Sequence, residues 1–531
     1  MSDRSLSASE SAGPAPELSL RARLAVWLTI LTVASSSLYF FYSRGLNNLY
    51  GDAMAHVEGA RRIFDSVTPG YSEIGTVWLP LCHLLASPLA INDFLWRTGL
   101  AGGLVSTAAF AVTAWLLFRL AWEMNRNGAA AGLALAGFLL CPNMLYLAST
   151  PLTEPVAILW SVLVAYSLFR FQVGGHIGAL LAAAFAAFFG TLTRYDGWFL
   201  LPFAALFVLL ARREYWQVRL RHTLIFSAIA GAGPVLWLLH NAYRYGNAWE
   251  FYNGRGSTQD QYAHQLATTA FRYPTDGSLL TAARYYLTDL ELVIGVWPLV
   301  LMVLGLVAWA ADRHERPRRS AALLLLVPFP FYLHALAYAA VPLYVPTLFP
   351  HTYFNLRLGL EMLPAVALLP SFLLSPNFSR RLRSVLLAIL LCVVMGQALS
   401  TASHGAGELA VAKEGVTNTP CRSRKQQAVI HLLREKYDGQ TILAAAGKWP
   451  CVMPQVMIPF RKTLSEANRE YWTRLRSEPE KWVAWIVRGD GDTVDALMAA
   501  YPQAFANYDL IYQQTLPREG RVRIYRRGAT R

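Results

Sequence analysis

About 11 apolar runs, each on the order of 20 residues, divide the chain between residues 24 and 402. They lie near 24–42, 97–120, 128–147, 155–170, 177–193, 198–211, 222–240, 290–311, 321–341, 356–374 and 384–402, of which the fourth to sixth are short and could be tilted or partly re-entrant. Lipid offers the backbone no hydrogen-bond partners, so such runs must be helices that satisfy themselves. The spacing therefore predicts a mostly α, polytopic membrane protein. Composition agrees: 55% of the 531 residues are hydrophobic and 15% are charged, against about 25% charged in a soluble domain. Lys and Arg number 47 against 33 Asp and Glu, a net +14. In a soluble chain that excess would suggest nucleic acid. Here the Arg residues flank apolar runs, which is how topology is set, and no nucleic-acid partner is expected. No cleavage motif follows the first run, so it is expected to be retained.

Short loops carry the orientation. Arg21, Arg23, Arg126, Arg212, Arg213, Arg219, Arg221, Arg313, Arg316, Arg318, Arg319, Arg380, Arg381 and Arg383 fall on one side. The positive-inside rule places that side, with a disordered tail over 1–20, in the cytoplasm. An odd number of spans then puts the C-terminus outside. The location expected is the bacterial inner (cytoplasmic) membrane, with the bundle over 21–402 and outer loops over 43–96 and 241–289. Pro202 and Pro364 interrupt runs, as packed neighbours allow. From 403 to 531 the sequence turns soluble. "TILAAA", "WVAWIVRG", "YDLIYQQ" and "RVRIYRR" are strand-like, with helix-like stretches at 422–436 and 492–501. A small extracytoplasmic α/β domain is expected. It holds Cys421 and Cys451, which outside the cell could pair as a disulfide or remain free thiols.

Acids at outer span ends are the first candidates for chemistry. Asp52 opens a helical pattern in which Ala53, Val57, Ala60 and Phe64 share a face, and Asp52 and His56 another. Asp52 could be a helix cap, a catalytic carboxylate, or both. Glu73 in "GYSEIGTVWLP" could be a solvated loop charge or an acidic partner. Glu154 in "STPLTEP" could start a helix or join the site. Arg194 and Asp196 in "LTRYDGW" form either a structural pair or a site element. Arg357 in "YFNLRLGLEMLP" is a snorkelling side chain or a phosphate clamp, for which the guanidinium is suited. His56, Asp196, His264 and His351 are candidate acceptor or metal contacts. Two acids and a His converging outside could hold a divalent metal, although no spacing demands one.

The order of these features resembles the GT-C superfamily of integral membrane glycosyltransferases. It runs from a first span through an early loop Asp, a Glu leading to "WLPL" and a "TRYDGW" turn to a late "NLRLGLEMLP" and a soluble tail. The nearest groups are the bacterial lipid A aminoarabinose transferases and the protein O-mannosyltransferases. The resemblance covers 24–400 and implies a polyprenyl-phosphate-linked sugar donor in the bilayer. The acceptor would be the hydroxyl of a lipid, glycan or protein outside the cytoplasm, and transfer would proceed with inversion. Asp52 matches the family's catalytic acid, and Arg194 or Arg357 would bind the donor phosphate. Glu73 matches a Glu-Lys-Pro-Pro-Leu pattern, but Ile74, Gly75 and Thr76 follow it, so the Lys is missing. Ala53 stands where protein O-mannosyltransferases carry Glu, and Leu358 where a Tyr is common after the late Arg. Two rivals stay open: a transporter or flippase of lipid-linked glycans, and a membrane transferase outside GT-C.

Overall fold

The computed structural model describes residues 17–374, 378–517 and 519–528. The tail expected over 1–20 lies, as far as residue 16, outside them. Ser19 caps α1 (Leu20–Ser43) by accepting from the Ala22 amide. On the far side α2 (Gly51–Arg62) and α3 (Leu81–Ala90) form a surface layer. The bundle continues with α4 (Leu100–Asn125), α5 (Gly128–Leu139), α6 (Glu154–Gly174), α7 (Ile177–Thr191), α8 (Asp196–Leu210) and α9 (Trp216–Tyr245). It closes with α10 (Leu279–Val293), α11 (Val296–Ala311), α12 (Ser320–Tyr338), α13 (Leu356–Leu373) and α14 (Arg380–Ala402). The first turns of α12 and the ends of α13 are 3₁₀, where prolines remove amide donors.

Every apolar run of the sequence is helical, yet among the described residues seven helices are long and apolar enough to cross a membrane alone, or eight if the bent pair α10–α11 is one span. The other runs are short helices, α5, α7 and α8, or this pair, bent by 111° at Gly295. The expected number of about 11 spans included all of these, although the runs over 177–193 and 198–211 are short already in the sequence. The helix α13 is almost wholly buried and α14 almost wholly exposed, so α13 is the axis of the bundle and α14 faces lipid. The most extensive apolar core runs through α4, α5, α6, α7 and α13. The Arg-rich loops close one end: Arg318 donates to the carbonyls of Met124, at 3.1 Å, and Glu123, at the C-terminus of α4, where a cation is favoured.

Beyond α14, α15 (Ala410–Asn418) turns back onto the bundle, burying Val411 and Ala412 in its core. The soluble domain that follows pairs α16 (Arg424–Lys436) and α17 (Thr493–Ala500) with a five-stranded sheet of order β2-β1-β3-β5-β4. The strands are β1 (Ile442–Ala444), β2 (Thr463–Leu464), β3 (Trp485–Gly489), β4 (Tyr508–Leu516) and β5 (Gly520–Arg527). β1 runs parallel to β2 and β3, and β5 antiparallel to β3 and β4. The two-residue β2 is too short to show in the sequence pattern. Cys421 and Cys451 are joined by a disulfide, with Met54 of α2 against both sulfurs at 3.8 and 3.7 Å. Closing a loop of 30 residues should stabilise the fold by about 3.6 kcal/mol. Alkylation of the unreduced protein followed by mass spectrometry should leave both cysteines unlabelled; labelling of both would contradict the bond.

Candidate active site

At the end of the bundle opposite the Arg-rich loops, four helix termini and one turn converge. Asn355, in the left-handed region at φ 61°, reverses the chain into α13, a conformation Asn tolerates. The amides of Asn355 and Leu356 donate to the Glu414 carboxylate at 2.8 and 2.9 Å, so α15 caps α13. That reversal aims Arg357 inward. Its Nε donates to Glu154 Oε1 at 2.8 Å and its Nη2 to Asp52 Oδ2 at 2.5 Å, while Glu414 lies 3.8 Å from Nη1. The Tyr50 ring packs against the guanidinium, 5.3 Å from centroid to Cζ. Burial pushes the Glu414 carboxyl above its ordinary range, against the pull of Arg357 and the two amides.

Glu154 is the first residue of α6, and its Oε1 is shared. Arg194 Nη1, from the turn between α7 and α8, donates to the same oxygen at 2.9 Å. Arg194 also meets Glu361 at 3.1 Å, Asp196 at 3.7 Å and the Tyr332 hydroxyl at 3.1 Å, and Tyr332 donates to Glu361 at 2.6 Å. Both guanidiniums are thus surrounded by oxygen atoms, although the buried Nε of Arg194 makes no hydrogen bond. The members differ in access. The Glu154 side chain is 1% exposed and that of Arg357 10%, whereas Asp52 is 45% exposed. Asp52 is the carboxylate that a molecule entering from outside can reach.

The other expectations divide. Asp52 is not the cap of α2: Tyr50 is, without a side-chain bond, and Asp52 points to Arg357 instead. Glu73 sits in a different network, 2.7 Å from Arg62 and accepting from the Ser66 and Thr68 hydroxyls. There it braces the first loop. His56 is buried, with Nδ1 2.8 Å from His83 Nε2 and its ring on Trp78. Burial lowers His56 to about 4 and His83 to about 3, so the pair is neutral at neutral pH. His264 is exposed on a surface helix, and His351 is exposed with Nδ1 on the Pro346 carbonyl. The convergence of two acids and a His on a metal is not found. Among the described residues no group of three or more His, Cys, Asp or Glu side chains is arranged to hold an ion.

Glu361, Tyr332 and Glu414 were not anticipated. An acid inside an apolar run is itself a functional signal, and Glu361, one turn after Arg357, carried it. Glu414 sits in a soluble-looking stretch and gave no such sign.

The architecture is a GT-C-type fold: a polytopic helical bundle, surface helices after the first span, and a small α/β domain on the side of the site. Among solved structures it matches ArnT from Cupriavidus metallidurans. Bound to undecaprenyl phosphate, that protein aligns with TM-score 0.59 and 13% identity over 96% of this chain and 98% of its own. In the apo state it aligns with TM-score 0.55 and 15% identity over 95% and 98%. No protein-family model and no curated protein matches the sequence.

The difference in burial separates the two acids on Arg357. Glu154→Ala strands two buried guanidiniums and should cost about 3–5 kcal/mol. Asp52→Asn breaks a half-exposed pair and should cost about 1 kcal/mol or less. Thermal unfolding in detergent measures both; equal losses would contradict this ranking.

Proposed function

We propose that the protein is a glycosyltransferase that moves a sugar from a polyprenyl-phosphate donor to an acceptor hydroxyl on the extracytoplasmic face. The observation that carries the reading is the Asp52–Arg357–Glu154 bridge, open to the outside only at Asp52. The fold supports it, since the similar ArnT structure was solved with undecaprenyl phosphate. Placement of the Arg-rich loops in the cytoplasm puts the N-terminus inside and the site and α/β domain outside. The transporter reading has less support, because transporters place ionisable groups at the bilayer midplane and this cluster lies at one end of the bundle.

In the proposed reaction the donor's phosphate approaches the Arg357 edge that Asp52 occupies. Phosphate and carboxylate compete for the same donors. As the phosphate takes them, Asp52 turns to the acceptor hydroxyl and accepts its proton. The acceptor oxygen attacks the anomeric carbon from the face opposite the phosphate. The bond from that carbon to the phosphate oxygen breaks, and its electron pair leaves with the polyprenyl phosphate. One displacement inverts the anomeric centre. Glu154 holds Arg357 and Arg194 in place throughout, so that positioning and charge stabilisation need no reorganisation.

Asp52→Asn should lower transfer at least about 100-fold while expression and membrane insertion stay normal. The assay is release of polyprenyl phosphate from a lipid-linked sugar pool by the reconstituted protein. Turnover near the wild-type rate in this variant would overturn the catalytic role.

A further inference from the structure

A second polar cavity lies behind α2, away from the Arg357 cluster. On a helix of 3.6 residues per turn, Met54 points about 160° and Glu58 about 120° away from Asp52. With Asn48, Trp96 and Gln455 they line a crevice of about 250 Å³ between the membrane-surface layer and the segment following β1. Glu58 also lines a smaller cavity, of about 40 Å³, with Ala445, Gly447, Trp449 and Ser465. Those residues lie just past the carboxyl ends of β1 and β2. Connections leave β1 toward β2 on one side, while β3 pairs on the other. This is the position at which open α/β sheets take ligands.

The two cavities, which share Glu58, hold polar atoms that the protein does not satisfy. Glu58 Oε1 and Asn48 Oδ1 at the crevice and Trp449 Nε1 at the smaller cavity are buried and meet no protein partner. Arg62, whose charge acts on Glu58, is committed to Glu73 at 2.7 Å. A buried polar group without a bond is costly, so these atoms are explained by something that enters. Two acceptors and an indole donor suit a hydroxyl, which both gives and takes a hydrogen bond. Burial lifts Glu58 to about 8, so at neutral pH the crevice carries little negative charge with which to select a cation. Its volume falls just below the roughly 300 Å³ of the smallest ligand pockets, room for about one sugar ring.

We infer that the crevice between α2 and the carboxyl edge of the sheet is a saccharide-binding site, separate from the Arg357 cluster, that takes a neutral, hydroxyl-rich ring. The ring would come from a glycolipid headgroup or a soluble glycan. The inference does not depend on Asp52 being catalytic.

Full-length protein in phosphatidylethanolamine–phosphatidylglycerol nanodiscs provides the test. In one arm, saturation-transfer NMR measures binding of the methyl glycosides of glucose, galactose, mannose and arabinose. In the other, native mass spectrometry measures retention of diglucosyl diacylglycerol. At least one probe should bind the wild type. Glu58→Leu and Trp449→Phe should each weaken it about tenfold, and Asp52→Asn should leave it unchanged. Binding of the glycosides marks a soluble ligand; binding of the glycolipid alone marks a headgroup. Glu58→Leu removes a buried unbonded acid, so it should fold at least as well as wild type, and Trp449→Phe keeps the ring as a second check. No binding in either arm would overturn the inference. So would binding that survives both crevice variants, or binding lost in Asp52→Asn alone.

Discussion

One oxygen organises this end of the molecule. Glu154 Oε1 accepts from Arg357 at 2.8 Å and from Arg194 at 2.9 Å. Through those two guanidiniums it ties α6 to α13, to the turn before α8, to α2 and to α15. A buried carboxylate is tolerable only when paired, and each Arg is tolerable only because of the acids around it. The groups therefore stand or fall together. Apolar packing can hold the helices at the right spacing, but it does not fix their ends to within hydrogen-bond tolerance. The shared carboxylate does.

That constraint leaves Asp52 with a particular freedom. Its partner is held rigidly from behind, while its own side chain opens outward. The loop that carries it is braced on both flanks. Arg61 binds Asp65 at 2.9 Å, and Arg461 of the soluble domain reaches the same acid at 3.0 Å. On the other flank the Tyr71 hydroxyl lies 2.5 Å from His240 of α9, and Thr76 bonds Asn241. Glu73 belongs to this bracing. The soluble domain thus acts on the site from a distance, by holding α2.

Much of the architecture was legible because lipid enforces one rule, that an apolar run must be a helix. Each run was found, and so were four strands of the soluble domain. The pattern showed that α7 and α8 are short, but not that one run bends sharply at Gly295. The site was legible only as separate members. Asp52, Glu154, Arg194, Asp196 and Arg357 each stood at an outer end, but Arg357 and Asp52 are 305 positions apart, and no spacing encodes their contact. Glu73 and His56 matched expectation by type and neighbourhood, yet each found a stronger local partner, Arg62 and His83. Glu414 was hidden because its role is set by the backbone amides of Asn355 and Leu356, which sequence does not display.

The central claim is that Arg357 exchanges Asp52 for the donor phosphate. A structure of the protein with a polyprenyl phosphate bound tests it most directly. The phosphate should lie against the Arg357 guanidinium, with the Asp52 carboxylate moved off Nη2 toward the open side and Glu154 still in place. A phosphate bound elsewhere, with the Asp52–Arg357 pair intact, would contradict the account.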